Sequence, residues 1–385
     1  MDEMNIDGDD NVQIKAEGNV VSAVGDGAIA AGGDITIQQG IDPKIHAQAL
    51  MEIEMLKKEI QEFKDSSSQK DEEITSEKVV NAAARLEYLV DVEYPIETLF
   101  ILAEASMKAG QYDVAEKYLL DSVSKSKQIG NEILESWGYN GLTSLEMSRG
   151  NFNIAKKYCE QIIASDPLTE ASKLLNLGQI ECRTGNYSKG EIYFRKTLQI
   201  YEIENHVQGI AFTLNSLANV AGHNRDFPTA LQLLQRSKDL KLRVGDIYGA
   251  CNSMLNIARF QRKLGHHEEA LVIYFDCLKI TEHNGWIPFN SELYNNIGNL
   301  FIDIGDYEKA EYNYKKSLEI NMQIGNAAGI GLCKQNLGSL AFHKNDLDAA
   351  EELLMESKRI LEEQNSEYLL GTLKGLERIR QLRRN

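Results

Sequence analysis

The chain has 385 residues, of which 43% are apolar, and a formal net charge of −17. No stretch approaches the roughly 18 to 20 apolar residues that a membrane span needs, and the acidic balance argues against a general nucleic-acid binder, whose affinity depends on Lys and Arg. The N-terminus, MDEMNIDGDD, lacks the basic start and apolar run of a secretory signal peptide. We therefore expect a soluble, cytoplasmic protein without membrane or nucleic-acid partners.

Residues 1–44 alternate Gly/Asp turns with short runs in which every second residue is apolar. These runs are GDDNVQI from Gly8, GNVVSAV from Gly18, GDGAIAAG from Gly25 and GDITIQQ from Gly33. Period-2 apolar runs bounded by Gly and Asp predict short strands. So short a β segment cannot bury a core by itself.

Residues 45–75 are expected to form a coiled-coil helix and a polar linker. Five apolar residues are spaced 4, 3, 4 and 3 apart, as in a coiled-coil seam: Ala49, Ile53, Leu56, Ile60 and Phe63. Two heptads are too short to be stable alone, so we interpret this seam and the strands before it as one stalk that joins two or three copies of the chain. The alternative is a disordered tail ahead of a surface helix.

The polar linker is SSSQKDEE at 66–73, and residues 76–95 contain a helix from Glu77 to Val90 that leads into the next region. From residue 96 to 363 the chain repeats itself. Turn segments recur at spacings of 40, 35, 40, 40, 40 and 40 residues: GQYDVA at 110, GNFNIA at 150, GNYSKG at 185, RDFPTA at 225, GHHEEA at 265, GDYEKA at 305 and NDLDAA at 345. A repeated helix pair explains this period.

Small residues recur at one place on the first helix of these pairs, seven residues before the turn: Gly178, Ala218, Ala258, Gly298 and Gly338. The corresponding residues of the first two repeats, Ala103 and Thr143, fit this pattern less well. Glycines at 130, 245, 285 and 325 fall where second helices should end, as expected of left-handed caps. Small side chains at a fixed place allow two helices to approach closely.

This pattern resembles the tetratricopeptide repeat, in the 40-residue variety found in scaffold or adaptor proteins and in bacterial regulatory proteins. The resemblance covers about residues 96–363 and implies an all-α, right-handed superhelix of about seven repeats, with the first helices lining a groove for a partner polypeptide. Beyond it, residues 364–385 should form a capping helix and a basic tail. The apolar stripe of that helix is Leu369, Leu370, Leu373, Leu376, Ile379 and Leu382.

Asparagine recurs on the first helices, two residues before or one residue after the small position. With the residues four before and four after, these offsets mark one helical face, which lines the groove in the family. The candidate peptide-binding residues are Asn176, Asn219, Asn252, Asn256, Arg259, Lys263, Asn296, Asn299 and Asn336. A carboxamide donates and accepts, so it can pair with the backbone of an extended peptide. Alternatively, these carboxamides link neighbouring helices.

The sequence offers no catalytic residues, no metal site and no cofactor motif. Its histidines form no HExxH or Cys/His ligand set, and its five cysteines have no metal or redox spacing. We therefore expect a non-enzymatic scaffold or adaptor that binds an extended peptide segment and is multimerised by its N-terminal stalk. A peptide-responsive regulatory switch is the alternative.

Overall fold

The computed structural model describes residues 20–23, 28–31, 35–37, 43–65, 69–89, 92–363 and 368–384. The chain divides into two compact units, Met1–Asn224 (unit 1) and Arg225–Asn385 (unit 2). Helices dominate both. None of the helices in the described ranges is long and apolar enough to cross a membrane.

Unit 1 begins with two small antiparallel strand pairs. Strand β1 (Val20–Ala23) pairs with β2 (Ala28–Ala31), and β3 (Thr36–Ile37) pairs with β4 (Val92–Glu93). Three of the four predicted runs thus contain a strand, whereas GDDNVQI lies outside the described residues. The pairing of β3 with β4 joins the start of the chain to the entrance of the repeats within one molecule.

Nine helices of unit 1 follow in the described part of the chain. They are α1 Pro43–Asp65, α2 Gln69–Leu89, α3 Ile96–Lys108, α4 Tyr112–Gln128, α5 Glu132–Ser148, α6 Phe152–Gln161, α7 Pro167–Arg183, α8 Tyr187–Ile203 and α9 Val207–His223. Consecutive helices pack as antiparallel neighbours, and α3, α5 and α7 also contact one another as first helices of successive pairs. The short α6 ends before Asp166, whose side chain accepts a hydrogen bond from the backbone N–H of Thr169 and caps α7.

The seam of α1 is covered by another helix of the same chain, and its role in joining two or three chains stays a prediction. All five seam residues are buried, at most 9% exposed, because α2 of the same chain packs against them. The α2 residues in this core are Val79, Val80, Ala82, Ala83 and Leu86. The predicted linker is also partly helical, since Gln69–Glu73 already belong to α2. Helices α1 and α2 therefore form one more intramolecular pair, stacked on α3.

Unit 2 consists of eight helices in its described residues. They are α10 Phe227–Arg243, α11 Ile247–Lys263, α12 His267–His283, α13 Ile287–Ile304, α14 Tyr307–Gln323, α15 Ala327–His343, α16 Leu347–Glu363 and α17 Leu369–Arg384. Helix α17 covers α16 with Leu376 and Ile379, which are buried with Ala350 and Leu354. The rest of its predicted stripe is less buried, since Leu370, Leu373 and Leu382 stay exposed.

The small residues and the glycine caps lie where the repeat pattern predicts them. A Cβ on Gly178 would come within 2.5 Å of the Phe194 ring, and one on Gly298 within 2.6 Å of the Tyr314 ring. The glycines at 130, 245, 285 and 325 have φ between 68° and 78°, which confirms left-handed helix ends. Helices α3 to α16 thus supply the fourteen helices of seven predicted repeats.

Candidate functional site

The first helices of unit 1 line a pocket of about 480 Å³. Helices α3, α5 and α7 contribute most of the wall, including Phe100, Ile133, Trp137, Asn140, Gly141, Ser144 and Ser172. The rings of Phe100 and Trp137 meet edge to face, with centroids 6.2 Å apart. Phe100 is buried, whereas Ile133 is 48% exposed. The pocket therefore presents apolar surface to solvent beside a fixed aromatic pair.

The charged groups of this pocket already have partners within the chain. Lys108 lies 3.0 Å from Glu104, and its ammonium group also sits 4.9 Å from the centre of the Phe63 ring. Asp166 accepts hydrogen bonds from the backbone N–H and the hydroxyl of Thr169. Because these charged groups are already paired, the pocket does not favour a charged ligand over a neutral one. Its chemistry suits an apolar side chain flanked by a polar backbone.

Asn176 is hydrogen-bonded to a residue that lines this pocket. Its side-chain N–H donates to the side-chain oxygen of Asn140 on α5 over 2.5 Å. Asn140 lines the pocket, and Asn176 is only 9% exposed. In unit 1 the candidate Asn176 therefore braces α7 against α5 and holds a wall residue in place.

Two candidates of unit 2 also form hydrogen bonds within the protein. Asn336 on α15 donates to the side-chain carbonyl of Asn295 on α13, over 2.6 Å. Asn296 is 8% exposed and donates to the backbone carbonyl of Glu292 in its own helix. Asn336 thus links two helices, as the alternative interpretation of the sequence expects, whereas the bond of Asn296 stays within α13.

The remaining candidates face outward to different degrees. Asn219 in unit 1 is exposed, and so are Arg259 and Lys263 on α11, whereas Asn252 and Asn256 are half-buried. One guanidinium N–H of Arg259 donates to the side-chain oxygen of Asn256 over 3.1 Å. Together these residues of α11 place polar and cationic groups on the first-helix face of unit 2.

Helix α13 places acidic groups beside that face. Arg262 and Asp303 form an ion pair at 3.2 Å. Glu292 keeps contact with solvent, but the protein crowded around its carboxylate raises the pKa of this group, while the charge of Arg259 lowers it in part. The face thus carries Arg259 and Lys263 as cations without an ion pair among the described residues, next to the carboxylate of Glu292.

Comparison with known proteins agrees with this architecture. The family profile described as tetratricopeptide repeat matches residues 169–243 and 290–363. These two stretches therefore contain tetratricopeptide repeats. Among curated proteins, none matches it significantly.

Solved structures share the fold of this chain at low sequence identity. The apo form of RapI aligns with a TM-score of 0.56 and 11% identity over 70% of this chain and 99% of RapI. A Rap protein complexed with competence and sporulation factor aligns with a TM-score of 0.54 and 14% identity over 87% of this chain and 98% of that chain. A signal-transduction ATPase with a tetratricopeptide-repeat sensor, from Pyrococcus horikoshii, gives a TM-score of 0.53 and 17% identity over 84% of this chain and 51% of that chain. These likenesses confirm the all-α tetratricopeptide-repeat solenoid.

The pocket of unit 1 was missed from the sequence, although a usable signal was present. The offsets that define the first-helix face in repeats 3 to 7 also apply to repeats 1 and 2, counted from Ala103 and Thr143. Six residues that line the pocket hold these positions: Glu104, Lys108, Trp137, Gly141, Ser144 and Ser172. The prediction of binding residues relied on asparagine and therefore missed the pocket, whose face includes Trp137.

In the part of the chain that the structure describes, no group of three or more His, Cys, Asp or Glu side chains is placed to hold a metal ion. Its cysteines are free thiols, and four of the five are buried. Burial raises the pKa of Cys159 to about 12, which keeps this thiol protonated at neutral pH. Cys159 therefore acts as a small apolar residue of the core.

Proposed function

We propose that this protein is a scaffold or adaptor that binds an extended peptide segment of a partner protein on the first-helix face of unit 1. The observation that supports this proposal is the open apolar pocket formed by α3, α5 and α7. Tetratricopeptide repeats present such faces to polypeptides, and an apolar anchor supplies much of the affinity when its pocket already exists in the free protein. The role proposed is binding without catalysis.

In this proposal, an apolar side chain of the partner enters beside Trp137 and Ile133. The neighbouring wall offers the hydroxyls of Ser144 and Ser172 and the carboxamide of Asn140 to the peptide backbone. Asn176 contributes indirectly, because it fixes Asn140. Full burial of one large apolar side chain contributes about 1.5 to 3 kcal/mol, which is enough to make one residue of the partner dominate binding.

The first-helix face of unit 2 serves as a second binding surface in this proposal. Asn252, Asn256, Arg259 and Lys263 are the residues placed to contact the partner there, and Asn219 has the same role on α9 of unit 1. Asn296, Asn299 and Asn336 already form hydrogen bonds within the protein, and those of Asn299 and Asn336 join different helices. Multimerisation through the α1 seam is not included, because α2 fills that seam.

The test begins with a partner captured from the native cell by the full chain, whose affinity is then measured with single variants. Ile133→Arg places a long charged side chain at the mouth of the pocket without removing a core residue. We expect binding to weaken by about tenfold or more, because loss of a buried apolar anchor costs about 1.5 to 3 kcal/mol.

The matched control is Ile192→Arg. Ile192 lies on the second helix α8 and is 56% exposed, so the same chemical change is made outside the pocket. Both variants should melt like the parent protein. Equal affinity of the two variants for the partner would rule out the pocket as the binding site.

A second candidate function is a peptide-responsive switch, in which a short peptide changes the affinity for another protein. The likeness in fold to a Rap protein complexed with competence and sporulation factor favours it. A switch requires reciprocal coupling, since each ligand must change the affinity for the other by the same factor. This is tested by titrating the partner with and without a saturating peptide. Equal affinities for the partner would exclude the switch and favour the scaffold.

A further inference from the structure

Two cysteines meet inside the core of unit 2. Cys251 lies on α11 and Cys277 on α12, and both are fully buried in the same apolar cluster. The thiol of Cys277 donates to the backbone carbonyl of Cys251 over 3.6 Å. The two residues are 26 positions apart in the sequence, so the fold and not a local motif brings them together.

The next repeat shows how closely side chains approach at this place. Ser291 and Ser317 lie 40 residues after the two cysteines, on α13 and α14. The hydroxyl of Ser317 donates to the backbone carbonyl of Ser291 over 2.9 Å, and the two hydroxyl oxygens are 3.1 Å apart. A disulfide joins side chains whose Cβ atoms are about 3.5 to 4.5 Å apart. Side chains that meet at their γ atoms need only a small further approach to form one.

Other repeats have the same contact with a side chain on one helix only. Thr197 on α8 donates to the backbone carbonyl of Ala171 over 3.4 Å, and Ser357 on α16 donates to that of Gly331 over 2.8 Å. Ala171 and Gly331 have no γ atom. Among these repeats, repeat 5 is therefore the one that places a thiol on both helices.

The surroundings of the pair favour the thiolate of Cys251. The neighbouring Cys277 thiol, as a hydrogen-bond donor, lowers the pKa of Cys251 although burial opposes this change. Hydrogen bonding to Cys251 and burial raise the pKa of Cys277. By contrast, burial raises the pKa of Cys159 to about 12. Because the thiolate is the nucleophilic form of cysteine, Cys251 is the sulfur that reacts first with an oxidant.

We propose that Cys251 and Cys277 are an oxidative modification site, at which hydrogen peroxide converts the two thiols into a disulfide between α11 and α12. The Cys251 thiolate attacks one peroxide oxygen, the O–O bond breaks, and the other oxygen leaves as hydroxide and is protonated to water. The Cys277 sulfur then attacks the sulfur of the resulting sulfenic acid. The S–O bond breaks, and the hydroxyl group leaves as water with the proton of Cys277. Both sulfurs are oxidised, and both peroxide oxygens are reduced to water.

The disulfide stabilises unit 2, because it closes a loop of 26 residues and restricts the unfolded chain. It also fixes α11, the helix that carries Asn252, Asn256 and Arg259, against α12. Since both sulfurs are buried, peroxide reaches them during brief local opening of the helix pair. The reaction is therefore slower than at an exposed thiol.

The test treats the folded full-length protein with hydrogen peroxide, blocks the remaining thiols with iodoacetamide and digests the protein with trypsin. The two cysteines fall in separate tryptic peptides, residues 244–259 and 264–279, each of which contains one cysteine. Cys182 is only partly buried, so its oxidation measures the dose of peroxide. We expect mass spectrometry to detect the two peptides joined, and dithiothreitol to separate them.

The matched control is the double variant Cys251→Ser/Cys277→Ser, which gives repeat 5 the serine pair of repeat 6. The oxidised parent protein should melt about 5 °C or more above the reduced protein, as expected for a disulfide that closes a loop of this length. The double variant should melt at the same temperature with and without peroxide. In Cys277→Ser the sulfenic acid of Cys251 has no thiol to react with, so dimedone should label Cys251.

Three results would overturn the proposal. The two peptides stay separate at a dose that oxidises Cys182 completely, the link forms only after unfolding in urea, or the linked protein melts no higher than the reduced one. None of these results depends on a partner protein. The effect of Ile133→Arg on partner binding therefore tests the proposed function separately.

Discussion

The first-helix faces of the two units differ in chemistry although their helices are built alike. In unit 1 the face opens on Trp137 and an apolar pocket whose charges are paired. In unit 2 the equivalent surface presents Asn256, Arg259 and Glu292. The difference shows that the small and apolar positions of the repeat form the scaffold, while a few outward positions set the binding chemistry.

The largest expected loss of stability tests whether the repeats of the two units are packed in the same way. Gly178→Leu in unit 1 and Gly298→Leu in unit 2 should each cost about 1 to 3 kcal/mol or more, because the new side chain is forced into a buried ring. The rings are those of Phe194 and Tyr314. Thermal and denaturant unfolding measure the loss. Gln232→Leu, at an exposed position of α10, is the control and should melt like the parent protein.

If only one of the two glycine variants is destabilised, the repeats are not packed alike and the comparison of their faces fails. The magnitude also has a local reason. Each glycine lies in a first helix directly against a buried ring of the second helix of the same repeat, so the ring or the helices must shift to admit a side chain.

The repeat pattern predicted most of this scaffold because each contact that defines it is close in sequence. The turn spacing, the small positions and the glycine caps all describe neighbours within one helix pair. The seam of α1 shows the limit of this approach. Spacing at Ala49 and Ile53 predicts that a helix will cover the seam, but it does not say whether that helix comes from the same chain. The apolar stripe from Val79 to Leu86 on α2 could have indicated that a helix of the same chain covers the seam.

The candidate site was harder to predict, because asparagine suits two roles equally well. A carboxamide can bind a peptide backbone or a neighbouring helix, and only the distance between Asn176 and Asn140 distinguishes the two. Trp137 was passed over for another reason. It lies in a repeat whose small position holds Thr143, and the match of this repeat to the pattern is weaker.

A smaller effect is expected for the asparagine braces, which the two units share. Asn176→Ala and Asn336→Ala should each lower the stability by about 0.5 to 1.5 kcal/mol, because each leaves another asparagine without its donor. The partners are Asn140 and Asn295. Asn219→Ala removes an exposed carboxamide and should leave the melting temperature nearly unchanged. Weaker partner binding at unaltered stability in Asn336→Ala would instead assign this residue to the peptide.

The loss of stability at low pH should differ between two carboxylates, the buried Glu181 of unit 1 and the more exposed Glu311 of unit 2. Hydrogen bonds from Lys189 and Lys156 lower the pKa of Glu181 from 4.5 to about 2, and those from Lys315 and Lys344 lower the pKa of Glu311 to about 2 as well. A lowered pKa stabilises the fold above the ordinary value, and this stabilisation is lost as the pH falls from about 4.5 towards 2. Glu181 is 3% exposed, whereas the side chain of Glu311 is 35% exposed and more strongly screened.

Melting curves between pH 6 and pH 3 measure this contrast. Glu181→Gln should lower the melting temperature at pH 6 and flatten its decline at low pH. Glu311→Gln should change both quantities less, and its effect should vanish in high salt. Equal effects of the two substitutions on the melting temperature would show that burial of the carboxylate does not determine its contribution to stability.

The smallest expected effect concerns two helix ends that lack glycine, those of α9 and α15. Arg225 and Asn345 have φ of 61° and 62°, a region that disfavours most side chains and tolerates asparagine. Arg225→Gly should stabilise the protein by a few tenths of a kcal/mol up to about 1 kcal/mol, whereas Asn345→Gly should be nearly neutral. A larger gain at Asn345 in chemical denaturation would contradict this assignment of strain.

The short pairing of β3 with β4 has a consequence for how unit 1 opens. These strands lie on either side of the α1–α2 pair in the chain, so their hydrogen bonds close that pair into a loop. Fraying from the N-terminal side must then break the strand pairing or separate α2 from α3 before α1 is released. Amide protons of α1, α2 and α3 should accordingly exchange with solvent together, as one cooperative unit.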